Sequence, residues 1–360
     1  MLGEGGLVRL ELSFVMRNWL VLVLGRFFAA GLVLISSGIG VQAQTLETIR
    51  ERGFLICASS NALPGFSQQS ETGLWSGFDV DFCRAVAAAV FGNPDLVEFR
   101  SLEGEGSVAD LQTGSVDLLA RGAIWSLHRD TAQAIEYVAT SFFDGQAFMV
   151  PEDSGVVSAF ELDAVSICVI DNSDELTSLR EFFFRTQTNY TEVVYEERQD
   201  LAVAYAAGLC DTISAPSRWL HALRIGLPEP SRSRILPERI SKEPLGPIVR
   251  NGDAIWADIV RWTYFALINA EELGINSANL DTMLEVKFLP ILRFLGAEPS
   301  FSFGQPLGLE DDWMLKVIRA VGNYGEMYDR NFGPQTGPAL PRGLNSLFGQ
   351  GGLLYAPAAI

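Results

Sequence analysis

The stretch ARGAIWSLHRD, residues 120–130, sets two guanidiniums, Arg121 and Arg129, around the apolar Ala123, Ile124, Trp125 and Leu127. Arginine stays charged and presents a planar fork that meets a carboxylate with two parallel hydrogen bonds, a geometry lysine cannot copy. What those two groups face is the first chemical question. The other reactive residue types answer little by themselves. The two histidines, His128 and His221, sit in no nucleophile motif, so a Ser-His-Asp set lacks its base. His128, between Leu127 and Arg129, reads as a solvated loop residue. The four cysteines, Cys57, Cys83, Cys168 and Cys210, form no CxxC unit, and the spacing is wrong for zinc. No metal and no cofactor are expected.

Holding such groups in place needs a folded frame. Of 360 residues, 48% are apolar, 11% aromatic and 19% charged, which is enough for two domains with real cores and too apolar for disorder. A net charge of −18, with no cluster of Lys and Arg, repels nucleic acid and anionic membrane surfaces, so nucleic acid is not expected as a partner. The N-terminus reads as an export signal. Arg17 precedes an apolar run from Trp19 to Ile35, and small residues end in Val41-Gln42-Ala43, which puts cleavage after Ala43 and a signal peptide over 1–43. Met16-Arg17-Asn18 would make a normal start, leaving 1–15 as an upstream start artefact. An uncleaved anchor is the alternative, since the run is nearly long enough to span, and Arg26 inside it weakens both readings.

Export makes the cysteines informative, because an oxidising compartment favours paired thiols. Four cysteines allow three pairings. Two lie early and two late, so Cys57 with Cys83 and Cys168 with Cys210 is the local choice, against four buried, unpaired thiols.

Short apolar runs alternate with helical patterns along the chain. FLICAS, VEFRSL and SVDLLA read as strands and VDFCRAVAAAVFG as a helix, an order that implies a parallel sheet covered by helices. The pattern restarts with VSICVI, TEVVYEE and DTISA, separated by ELTSLREFFFRTQ and DLAVAYAAGL, giving a second α/β unit over about 150–238. WADIVRWTYFALINAEELGI follows as a long helix with Trp256, Ile259, Val260, Thr263 and Leu267 on one face. WMLKVIRAVGNYGEMYDRN reads as one further helix. Two similar lobes without a long linker imply a cleft between them, where small ligands bind.

TLETIRERGFLICASS, WSGFDVDFCRAVAAAVFG, LQTGSVDLLARG, ISKEPLGPIVRNGDAIWADIVRWT and AVGNYGEMYDRN resemble the general L-amino-acid substrate-binding proteins of ABC importers, over about residues 45–360. The resemblance implies a two-lobed α/β periplasmic-binding-protein fold of type II. Two strands cross between the lobes, near Phe143 to Val150 and near Ile240 to Glu243. Residues 45–142 and 244–360, the latter with a C-terminal extension, then form one lobe and 150–238 the other. It also implies a monomer that traps its ligand by hinge closure and presents it to an inner-membrane permease.

The family's Thr-x-x-Arg element, whose guanidinium grips the ligand's α-carboxylate, falls here on Ser126-Leu127-His128-Arg129. Arg129 and Ser126 are therefore expected at the ligand, with Arg121 at or under the cleft floor. Phe66 and Trp75 are expected at its mouth and Trp125 near the floor. Other positions depart from the family pattern. Its Gly-Thr-Thr turn is Asn172-Ser173-Asp174, with Asp171 alongside, and these acids would repel a carboxylate or take over the ammonium from another side. Its ammonium-binding aspartate falls on Pro216, and a hydroxyl residue falls on Ile124. A retuned sensor or non-transport module, or a cleft dehydratase using Asp174, stand as the alternative functions.

Overall fold

The computed structural model describes residues 45–101 and 106–359, and the signal peptide expected over 1–43 lies outside them. In chain order the strands are β1 (Leu55–Ser59), β2 (Ala62–Leu63), β3 (Ser67–Gln69), β4 (Trp75–Ser76), β5 (Val97–Ser101), β6 (Leu118–Ile124), β7 (Ile135–Tyr137) and β8 (Phe142–Asp144). They continue as β9 (Gln146–Pro151), β10 (Val165–Ile170), β11 (Tyr190–Tyr195), β12 (Thr212–Pro216), β13 (Ser233–Ile235) and β14 (Glu243–Arg250). Among the described residues the first large sheet has the order β5-β1-β6-β14-β7, with β8 also against β14, and the second β11-β10-β12-β9-β13. The leading three strands of each are parallel and its remaining pairs antiparallel. Strands buried on both faces are why LICAS and VSICVI read as unbroken apolar runs rather than alternating ones.

Helices cover the first sheet. Phe78–Phe91 buries eleven of its side chains, and the helix Ala254–Glu272 buries Trp256, Ile259, Val260, Thr263 and Leu267, the stripe its periodicity predicts. WMLKVIRAVGNYGEMYDRN departs from the single helix expected of it. It forms two, Trp313–Val321 and Tyr324–Phe332, because Gly322 turns the chain at φ 79° and Asn323 caps the next helix in a reciprocal box with Glu326. Those helices join the same core as Phe78–Phe91, with Phe332 against Phe66 at 4.7 Å.

The disulfides are Cys57–Cys83 and Cys168–Cys210, with Cα atoms 6.2 Å and 5.8 Å apart. Each ties a central strand, β1 or β10, to a neighbouring segment of its own lobe. The lobes are joined where β8 of one sheet runs through Gly145 into β9 of the other, and where the chain returns through Ile240–Lys242 into β14. These crossings hydrogen-bond to each other: Ile240 N–H donates to the Gln146 carbonyl at 2.8 Å and Gln146 N–H to Ser241 Oγ at 2.8 Å. A Cβ at Gly145 would sit 2.4 Å from the Ser241 carbonyl oxygen, so glycine is required there.

Candidate functional site

A cavity of about 340 Å3 lies where the two lobes face each other. Its lining residues follow the carboxyl ends of the parallel strands: Ser60 after β1, Arg121 and Gly122 at the end of β6, Arg198 after β11, and Pro216, Arg218 and Trp219 at and after β12. Such ends, where the connections leave an α/β sheet, form crevices into which helix starts and loops project their side chains. Phe66, Ser67 and Asp79 add a wall from lobe 1, the lobe built on the β5-β1-β6-β14-β7 sheet, lobe 2 being the one built on β11-β10-β12-β9-β13.

The lobe 2 side is built on paired charge. Arg218 Nη1 donates to Asp144 Oδ2 at 2.7 Å and to Glu243 Oε2 at 2.9 Å, so one guanidinium clamps the ends of both crossing strands. Burial works against its charge, and the two carboxylates more than offset that, leaving its pKa raised. Glu243 is pushed up by burial, with Arg218 opposing. Arg198 pairs with Glu175 and lies over the Trp219 ring at 5.1 Å. On lobe 1, Asp79 is buried, and burial lifts its carboxyl to about 7, with Arg218 pulling weakly the other way.

Of the residues singled out from sequence, Phe66, Arg121 and Pro216 line this cavity. Phe66 also belongs to the core, edge-on to Phe142 at 4.9 Å. Arg121 lies within β6, which runs on to Ile124 and so extends beyond the SVDLLA segment. Ser126 caps the helix Leu127–Ala132, accepting from Arg129 N–H, and Arg129 is exposed with its guanidinium beside the Tyr137 hydroxyl. Neither residue lines the cavity. Ile124 keeps its side chain against the lobe 1 core and its carbonyl accepts from Tyr137 Oη at 2.7 Å. Ser173 caps the helix Asp174–Thr186, accepting from Leu176 N–H at 3.1 Å. Asp171 accepts from Asn172, and Asp174 is exposed on the first turn. This turn adjoins the cavity through Glu175, the partner of Arg198. Trp75 stacks on Phe99 at 5.6 Å and Trp125 on Tyr137 at 5.3 Å, both away from the cavity.

Sequence reasoning passed over Asp79, Arg198 and Arg218. Asp79 stood inside the quoted FDVDF segment and Arg218 two residues beyond Pro216, so proximity to recognised motifs was the signal available.

Two α/β sheets, two crossing strands and a cavity at the strand ends define a type II, two-lobed binding protein. Residues 55–334 match the bacterial extracellular solute-binding proteins, family 3, and the chain belongs to that family. It is 43% identical, over 90% of this chain and 95% of the other, to the general L-amino acid-binding periplasmic protein AapJ of Rhizobium johnstonii. Over 92% and 97% of the two chains it is 42% identical to the glutamate/glutamine/aspartate/asparagine-binding protein BztA of Rhodobacter capsulatus. A solved periplasmic binding protein from Brucella ovis with glutathione bound superposes with a TM-score of 0.78 at 41% identity, covering 88% of this chain and 99% of that one. The protein is a solute-binding protein and not an enzyme. Among the described residues no helix is long and apolar enough to cross a membrane.

Proposed function

We propose that the protein is exported to the periplasm by the leader over 1–43. There, as a monomer, it captures an amino acid or a related small nitrogenous solute between its lobes and hands it to the inner-membrane permease of an ABC importer. The observation that carries this is the cavity itself, lined from both lobes and combining Arg121 with Asp79, groups that suit the two ends of a zwitterion. Relatives at 43% and 42% identity whose names state amino-acid binding support the same ligand class. Arg121 and Phe66 meet the ligand directly. Arg129 with Ser126, and Asp171, Ser173 and Asp174 across the cleft, engage it as the lobes close on the Gly145 and Ile240–Lys242 crossings.

Thermal melting of the mature protein with each L-amino acid and with glutathione tests the reading. A ligand at a hundred times its Kd adds about 2.7 kcal/mol to stability, and a flat response across the panel would overturn the assignment. Arg129→Ala should then remove nearly all affinity for the ligand found. Retention within about threefold, about 0.7 kcal/mol, would leave Arg121 as the carboxylate contact.

A further inference from the structure

Asp79 and Asp81 share the first turn of the helix Phe78–Phe91, and both are buried, at 6% and 7% exposure. Their surroundings differ. Asp81 Oδ2 accepts from Arg330 Nε at 3.0 Å, Arg330 Nη2 at 2.8 Å and Asn331 Nδ2 at 2.8 Å, and its other oxygen from Arg84 at 3.4 Å. Among the described residues no donor hydrogen-bonds the Asp79 carboxylate. Its main-chain N–H is held by the Phe66 carbonyl at 2.9 Å, which fixes the helix start against the cavity wall. The charge that acts on it is Arg218, already shared between Asp144 and Glu243.

Asp79 lines the cavity. Gly122 lines the same space at φ +61°, and a Cβ there would lie 3.9 Å from Asp79 Oδ2, so the missing side chain keeps that approach clear. Ser67, the neighbour of Phe66, also lines it, with a hydroxyl that is fully buried and lacks a partner among the described residues. Among the described lining residues Asp79 is the sole carboxylate, facing three guanidiniums. Pro216, on the opposite side, has neither a side-chain acceptor nor a main-chain donor.

We propose that Asp79 receives the cationic group of the ligand from lobe 1, supplying the acid that the facing lobe lacks at Pro216. This rests on the reading that the cavity holds an amino acid, and it sets the ligand's direction: ammonium against Asp79, carboxylate toward Arg121. A buried carboxylate without a partner is costly in the empty protein. An arriving ammonium removes that cost by forming the ion pair the fold does not form, an interaction that strengthens as water leaves the cleft.

Calorimetry on the mature chain with L-glutamate against glutarate, and L-alanine against propionate, compares ligands with and without the ammonium. Wild type should prefer the amino acid of each pair by about 30-fold or more, the ratio for losing a buried charged partner. Asp79→Asn should abolish that preference, leaving glutarate within about threefold of wild type, and adding Pro216→Asp should recover about tenfold for the amino acid. Amino-acid affinity within threefold of wild type in Asp79→Asn overturns the proposal and leaves the importer reading standing. So does an equal loss for both members of a pair with a lowered melting point. Wild type that binds neither amino acid overturns that reading and the proposal together.

Discussion

The two walls of the cavity carry charge in opposite ways. On lobe 2, Arg198 and Arg218 are each committed to acids of the chain itself, Glu175 on one side and Asp144 with Glu243 on the other. On lobe 1, the Asp79 carboxylate is buried and accepts no hydrogen bond among the described residues. A buried ion pair that is fully engaged fixes geometry, since separating it leaves two uncompensated charges. A buried acid that is not engaged opposes folding, and persists where binding uses it. One wall is therefore a brace, and the other is a receptor.

The largest effect should come from breaking the brace. Arg218→Met leaves Asp144, whose side chain is fully buried, and Glu243 without their shared partner. Removing one member of a buried ion pair costs about 3–5 kcal/mol, and with two acids stranded a loss of about 5 kcal/mol is expected. Urea unfolding at pH 8 measures it. The deficit should shrink at pH 5, where Glu243, whose pKa burial already raises, can take up a proton. A loss below about 1 kcal/mol would mean that the clamp is solvated and the contrast between the walls is wrong.

The receptor side should respond with the opposite sign. Asp79 titrates near 7 when folded, against 3.8 for the free side chain, because burial disfavours its charge. Between those values the folded state holds a proton the unfolded state has released, so stability falls as pH rises and the deficit is complete above about pH 7. Three units amount to about 4 kcal/mol. Asp79→Asn should therefore unfold at higher urea than wild type at pH 8 and at the same urea at pH 4. An equal gain at both pH values would trace the effect to packing instead of charge.

How far the sequence reveals this contrast depends on the kind of interaction. Strands β1 and β10 were legible because both their faces are buried, and the local disulfide choice was legible because each pair falls within one half of the chain. The split at Gly322 was missed because an apolar stripe continues across it, through Val321 and Tyr324, although Gly322 and the Asn323–Glu326 capping pair interrupt the helix. Arg121 and Pro216 were reached through motifs and Phe66 as an aromatic expected at the cleft mouth, and the cavity gathers them. The brace was not legible. Arg218 meets acids 74 and 25 residues away, and no local spacing encodes a partnership between a helix start and two strand ends. Nor does the text FDVDF tell its two aspartates apart. Asp81 is engaged by Arg330 and Asn331, contributed from the far end of the chain, and only the fold shows that Asp79 receives no such partner.

The smallest effect of the three tests whether lobe 2 holds its own unpaired group. His221 lies one turn beyond Arg218 on the helix Ser217–Gly226, fully buried and 6.1 Å edge-on from Phe332. Both ring nitrogens lack a partner among the described residues. Burial first, and Arg224 second, push its pKa down to about 4 from 6.5. The unfolded chain thus binds a proton at pH 6 that the folded protein refuses. The stability tied to neutral His221 is complete above pH 6.5 and drains away as pH falls toward 4, by about 3 kcal/mol for some two and a half units. His221→Leu keeps a similar apolar volume and takes away the titrating ring. At pH 7 the variant should match or exceed wild type, because two unsatisfied nitrogens leave the interior. At pH 4 it should be more stable by about 3 kcal/mol, with the difference appearing between pH 6.5 and 4 in a melting series. Phe332 belongs to the helices packed on lobe 1. Protonation of wild-type His221 would therefore strain a contact that bridges the lobes, whereas parallel melting curves for the two proteins would show that the ring can reach water and that lobe 2 carries no counterpart to Asp79.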